Sequence, residues 1–126
     1  ANNFAALVAD HAYDDEAVLE RALEVAERFR GSDNGLFLDT LGWLYYRDGQ
    51  YPAASTYLGR AVAAVPDRPD LRYHLGMALE RTGDTEGALE HLRQAVAAEV
   101  PFDGVEDAER TLAALEAEAA ATAGEG

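Results

Sequence analysis

Apolar residues recur along this chain at three-then-four spacing, the pattern of helices that bury one face. The clearest run puts Leu38, Leu41, Leu44 and Tyr45 on one stripe and predicts a helix over about Leu36 to Asp48. Gly49 ends it, because glycine accepts the left-handed conformation that a helix C-terminus needs. A second helix is predicted over about Pro52 to Val65, burying Ala54, Leu58, Ala61, Val62 and Val65. Pro52 suits a first turn, where its missing N–H is not needed. The turn Pro66-Asp67-Arg68-Pro69 leads into another pair, Pro69 to Thr82 and Thr85 to Glu99, joined by Gly83-Asp84 and closed by Val100-Pro101.

The flanks follow the same logic less regularly. Asn3 to His11 reads as the tail of a first helix and Asp15 to Arg30 as a long second helix. Asp14 or Asp15 is its expected N-cap, and Glu16 favours the positive helix end. Ser32-Asp33-Asn34 then supplies turn and cap chemistry. A last helix is expected over about Gly104 to Ala121, with Val105, Ala108, Leu112 and Leu115 on its apolar stripe. Glu106, Asp107, Glu109, Arg110, Glu116 and Glu118 face outward, which suits a helix that covers the open end of a stacked core. Thr122 to Gly126 is expected to fray.

The two central pairs are copies of one unit. Laying Leu41–Val65 over Leu75–Glu99 at a shift of 34 repeats ten of twenty-five residues. The matches are Leu41/Leu75, Gly42/Gly76, Arg47/Arg81, Gly49/Gly83, Ala54/Ala88, Leu58/Leu92, Ala61/Ala95, Val62/Val96, Ala63/Ala97 and Ala64/Ala98. Chance supplies roughly two or three, even in an Ala-rich chain. Such a period marks a helix–turn–helix unit stacked into a solenoid. Gly42 and Gly76 are expected where each first helix crosses its partner, with Ala54 and Ala88 as the matching small surfaces. Leu58, Ala61, Leu92 and Ala95 are expected to fill the seam to the next helix. Ala54→Leu should then overpack the crossing and cost about 1–3 kcal/mol in stability, which a melting curve measures.

With Leu41-Gly42, Tyr45, Gly49, Tyr51, Ala54, Leu58, Ala61 and Pro66 at these offsets, the chain resembles the tetratricopeptide repeat (TPR) family, most closely over residues 35–101. It departs at Thr85, where an aromatic residue is usual, and at Val100, where Pro is usual. More narrowly, LDTLGWLYYRDGQY, RYHLGMAL and PFDGVEDAERTLAAL look like the end of bacterial TPR proteins linked to exopolysaccharide export and protein sorting. The resemblance implies an all-α, right-handed superhelical α-solenoid of TPR-like helix–turn–helix pairs with a C-terminal capping helix. It implies a single TPR-like domain over 1–126: a degenerate repeat at 1–34, repeats at 35–68 and 69–101, a capping helix at 102–121 and a tail at 122–126.

The resemblance also implies a protein–protein interaction module or scaffold. The first helix of each pair would line a concave face that holds a peptide or partner protein. By position the partner-binding residues are Leu36, Asp39, Trp43, Tyr46, Arg47, Tyr73, His74, Met77 and Arg81, with Thr40 and Asp70 beside them. Trp43, Tyr46, Tyr73 and Met77 lie off the core stripe of Leu38, Leu41, Tyr45, Leu75 and Leu79. Large apolar residues in such places mark contact surfaces, and Trp and Tyr are common hot spots. The other reading is internal: these side chains pack against a neighbouring repeat. Arg47 and Arg81 share one repeat position and would dock a carboxylate of a partner, or instead pair with Asp48, Asp39 or Glu80. The Lys/Asn clamp of chaperone-binding TPR domains is missing, since its positions hold Asp39, Trp43, Tyr73 and Met77. Trp43→Ala with Tyr46→Ala separates groove from core by whether capture or folding is lost.

Composition narrows the partners. The 126 residues carry 24 acidic side chains against ten cationic ones, all Arg, for a net charge of −14 and a pI near 4.3. Such a surface repels phosphate backbones and anionic lipid, so nucleic acid and membrane surfaces are poor partners beside a cationic or mixed-charge protein. The Lys-free acidity fits a salt-tolerant source, but GC-rich coding replaces Lys with Arg as well. Without Cys there are no disulfides or thiolate sites, and no apolar run nears the ~20 residues that span a bilayer. A start at Ala1 with no leader suggests a fragment or processed form, cytoplasmic or periplasmic.

His11, His74 and His91 sit at no metal-like spacing, and surface or core roles suit them. No HExxH, paired-carboxylate, phosphate-loop or triad arrangement stands out, so no enzyme activity, metal or cofactor is expected. The rival to a binding module is the terminal segment of a longer TPR array that caps it or self-associates. With so few repeats, the open N-terminal end is expected to pair with a second copy as a homodimer, which light scattering measures.

Overall fold

The computed structural model describes residues 16–125, so the expected helix tail over Asn3 to His11 and the caps Asp14 and Asp15 lie outside the described residues. Among the described residues six α-helices follow one another: α1 (Glu16–Ala26), α2 (Gly35–Arg47), α3 (Tyr51–Ala64), α4 (Pro69–Thr82), α5 (Thr85–Ala97) and α6 (Val105–Glu125). Among the described residues there is no strand. α2 packs on α3 and α4 on α5 as two hairpins, which stack through α3 against α4 and continue through α5 against α6. The first helices also touch one another, α2 beside α4 and α4 beside α6. The fold is therefore the all-α repeat stack that the period predicts.

Local chemistry explains the boundaries. The Asn34 side chain accepts from the Leu36 and Phe37 N–H groups at 2.9 and 3.2 Å, capping α2. Ser32 Oγ in turn accepts from the Asn34 N–H at 2.9 Å. Asp84 caps α5 by accepting from the Gly87 N–H. Three boundaries differ from expectation. The long second helix tightens into a 3-10 turn over Glu27–Phe29 rather than running evenly to Arg30. α5 ends at Ala97, and Glu99 takes the left-handed turn at φ 54°. Thr122 to Glu125 continue α6 instead of fraying, in keeping with the high helix propensity of the Ala-rich stretch before them.

The repeated glycine is a contact point. A Cβ on Gly42 would stand 2.6 Å from Leu58 Cγ and 3.0 Å from the Leu58 backbone nitrogen; on Gly76 it would stand 2.8 Å from Leu92 Cγ. Leu58 and Leu92 thus fill the crossing of their own pair. Their branched ends need the volume that a glycine hydrogen leaves. Leu41, Leu44, Leu58, Leu71 and Leu92 are the largest fully buried side chains, each worth about 1.5–3 kcal/mol of burial. Tyr45 and Leu79, expected in the core, are only partly buried, whereas Trp43 and Tyr73, expected off it, are buried. The Tyr45 hydroxyl donates to Glu27 Oε1 at 3.1 Å. Burial first, then that carboxylate, pushes its pKa up to about 12.

Candidate functional site

Because α2 and α4 lie side by side, the residues they turn toward each other meet in one aromatic junction. Trp43 sits at its centre, 3% exposed. Its ring stacks on Tyr46 with centroids 4.4 Å apart and on His74 of α4 at 4.1 Å. Arg47 places its guanidinium carbon 4.6 Å from the Trp43 centroid, a cation–π contact. His74 Nδ1 lies 2.7 Å from Asp39 Oδ1, tying α4 to α2 by a nearly buried polar pair. Beside it Arg68 grips Asp70 with two hydrogen bonds, at 2.9 and 2.7 Å. Burial alone would raise the Asp70 pKa, but the Arg68 pair outweighs it and holds the carboxyl below its usual range.

Tyr73 carries the network onward to α6. Its hydroxyl donates to Asp107 Oδ2 at 2.8 Å and its ring lies 5.6 Å from that of Phe102. Burial, then the Asp107 carboxylate, raises its pKa above the ordinary tyrosine value. Gly104 makes this approach possible twice over. Its φ is +99°, and a Cβ there would stand 2.5 Å from the Tyr73 ring. Toward the other end, Tyr46 meets Tyr51 edge-on at 5.3 Å, and Arg81 lies 5.4 Å from the Tyr51 centroid. Burial raises the Tyr46 pKa, and the neighbouring Arg81 guanidinium opposes that rise.

Asp39, Trp43, Tyr46, Arg47, Tyr73, His74 and Arg81 are thus brought into one connected cluster. Met77 is half-buried against the core, and Leu36 stands 45% exposed in the first turn of α2. Thr40 is buried, its hydroxyl donating to the Leu36 carbonyl at 3.1 Å. Of the two readings left open for Trp43 and Tyr73, internal contact between repeats accounts for the buried rings. Arg47 and Arg81 lie on aromatic rings, a placement that neither the carboxylate-docking nor the ion-pair reading anticipated.

One stretch of this face was not foreseen. In α6 the buried Ala108 and Leu115 and the half-buried Leu112 repeat Leu71, Ala78 and Leu75 of α4 at a shift of 37 rather than 34. That register puts Asp107, Arg110, Thr111, Ala114 and Glu118 where α4 carries Asp70, Tyr73, His74, Met77 and Arg81. Thr111 and Ala114 are smaller than the His74 and Met77 they replace, and space beside them stays open. Together with Glu80, Thr85 and Leu115 they line a trough of about 340 Å³. The three-residue slip caused by the longer loop after α5 hid this equivalence. The stripe spacing within α6 is the signal that reveals it.

These features define a class: stacked helical hairpins with an internal core and one shared face of first helices. The tetratricopeptide repeat family model matches residues 40–104, half of the chain. The chain belongs to the tetratricopeptide repeat family. Repeats of this family are generally protein-interaction modules and typically non-enzymatic scaffolds. No curated protein matches the chain. Among the described residues no helix is long and apolar enough to cross a membrane.

Proposed function

We propose that this chain holds a peptide or partner protein along the concave face lined by α2, α4 and α6. The observation that carries the reading is the open trough between α4 and α6 on a face whose other stretch, between α2 and α4, is filled with aromatic side chains. Leu36 and Arg81, both exposed, extend the same face toward a ligand. The net charge of −14 steers a cationic partner and repels anionic ones. Trp43 and Tyr73 hold the face in shape rather than touch the ligand, which supports the rival structural reading for those two rings alone.

Selection from a random 12-residue peptide library, followed by fluorescence anisotropy, tests the proposal. Leu36→Arg and Ala114→Tyr on the first-helix face should each weaken selected peptides by roughly tenfold, about 1.4 kcal/mol. Thr56→Arg on α3 and Arg93→Glu on α5 should not. Loss confined to the α3 and α5 variants would sink the assignment of the face.

A further inference from the structure

The trough beside α6 differs from the aromatic junction in both shape and charge. At the junction the α2–α4 interval is filled by Trp43, Tyr46, Tyr73 and His74. In the next interval Thr111 takes the place of His74 and Ala114 that of Met77, and about 340 Å³ is left open. That volume is at the lower limit of ligand cavities, room for a side chain or two. From Asp107 to Glu118 it runs along about 16 Å of helix.

Its charge is not balanced. Asp107 accepts from the Tyr73 hydroxyl and lies 3.5 Å from Arg110, so those two charges answer each other. Glu80 and Glu118 line the same trough; the neighbouring Arg81 charge acts on Glu80 through space, but among the described residues no direct ion pair engages either. The carboxylates are not grouped as metal ligands: no cluster able to hold an ion occurs among the described residues. Ala114 and the buried Leu115, one helical turn before Glu118, line it as well. Carboxylates beside a small apolar strip suit a side chain with an aliphatic stem and a cationic head.

We infer that the trough between α4 and α6 takes a lysine or arginine side chain of a partner peptide, its methylenes on Ala114 and Leu115 and its charge among Glu80 and Glu118. This rests on the reading of the first-helix face as the binding face and names what one stretch of it selects. An anionic residue is disfavoured by the same two carboxylates. A large aromatic residue would leave them facing an apolar ring.

The test uses the library-selected 12-residue peptides and the full chain. Selected peptides should be enriched in Lys and Arg. The double variant Glu80→Gln/Glu118→Gln should bind them roughly tenfold more weakly, as should citrulline in place of the peptide arginine. Raising NaCl from 50 to 500 mM should weaken the wild-type complex more than that of the variant, because salt screens only the charged pair. Circular dichroism should show the variant folded, since Glu118 is exposed and Glu80 half-buried. Peptides without basic enrichment, or equal binding to the double variant, overturn the inference while Ala114→Tyr still blocks binding. Binding indifferent to Ala114→Tyr and Leu36→Arg alike sinks the underlying face reading as well.

Discussion

Glu99 turns left-handed at φ 54°, the one non-glycine residue among those described to do so; after α2 and α4 the same backbone turn is made by Gly49 and Gly83. A side chain in that conformation costs about 1–2 kcal/mol, and glycine returns part of the gain through its freer unfolded chain. Glu99→Gly is therefore expected to raise stability by about 0.5–1 kcal/mol in urea unfolding. An unchanged or lowered midpoint would remove the strain argument. Two other glycines give opposite signs for one substitution. Gly42→Ala drives a methyl to 2.6 Å from Leu58 Cγ and should cost roughly 1–3 kcal/mol, even though Ala is the better helix former. Gly59, inside α3, has nothing within 4 Å of its missing Cβ. There Ala should add up to about 1 kcal/mol. The sequence already separates the pair: Gly42 repeats at Gly76, while Gly59 falls opposite Arg93.

Between elements, the ten-residue echo and the cap residues disclosed the hairpins and most of their limits, because these depend on contacts within one repeat. Neighbour relations were harder to read. A helical wheel puts Trp43 off the α2 core stripe but does not say that α4 will lay His74 on its ring. The α6 trough escaped because its register depends on how many residues the loop after α5 holds. The α4–α5 hairpin carries a pH-dependent contact. Arg72 Nη1 lies 3.1 Å from His91 Nδ1, so the neutral imidazole accepts a hydrogen bond that its protonated form cannot. Burial first, then the Arg72 charge, lowers the His91 pKa below its ordinary 6.5. The unfolded chain then binds the proton more readily than the folded one, so stability is full above pH 6.5 and declines as pH falls below it. The urea midpoint should drop between pH 7 and 5.5, and His91→Gln should flatten that slope. A parallel slope in the variant would assign the decline to other groups.

In the whole molecule, stability is set by nearest-neighbour interfaces and need not be lost in one step. The junction of α2 and α4 is knit by side chains: Trp43 stacks on two rings, His74 pairs with Asp39 and Arg47 covers the indole. At the other end α6 is held by Ala108, Thr111, Leu112 and Leu115, and residues 116–124 are all exposed. An end with few buried contacts opens at lower free-energy cost than the interior. Trp43 is the only tryptophan in the sequence, so its fluorescence reports on the junction, while circular dichroism at 222 nm weighs every helix. In urea the ellipticity should begin to fall before the emission of Trp43 shifts to the red, leaving two midpoints where a single cooperative domain gives one. Removing residues 119–126 should bring the transitions closer together and leave the fluorescence midpoint in place. Coincident transitions in the full chain would mean that α6 is coupled to the junction as tightly as the repeats are to each other. In that case the Tyr73–Asp107 hydrogen bond and the Gly104 turn, which join α4 to α6, carry that coupling, and Tyr73→Phe should separate the two midpoints.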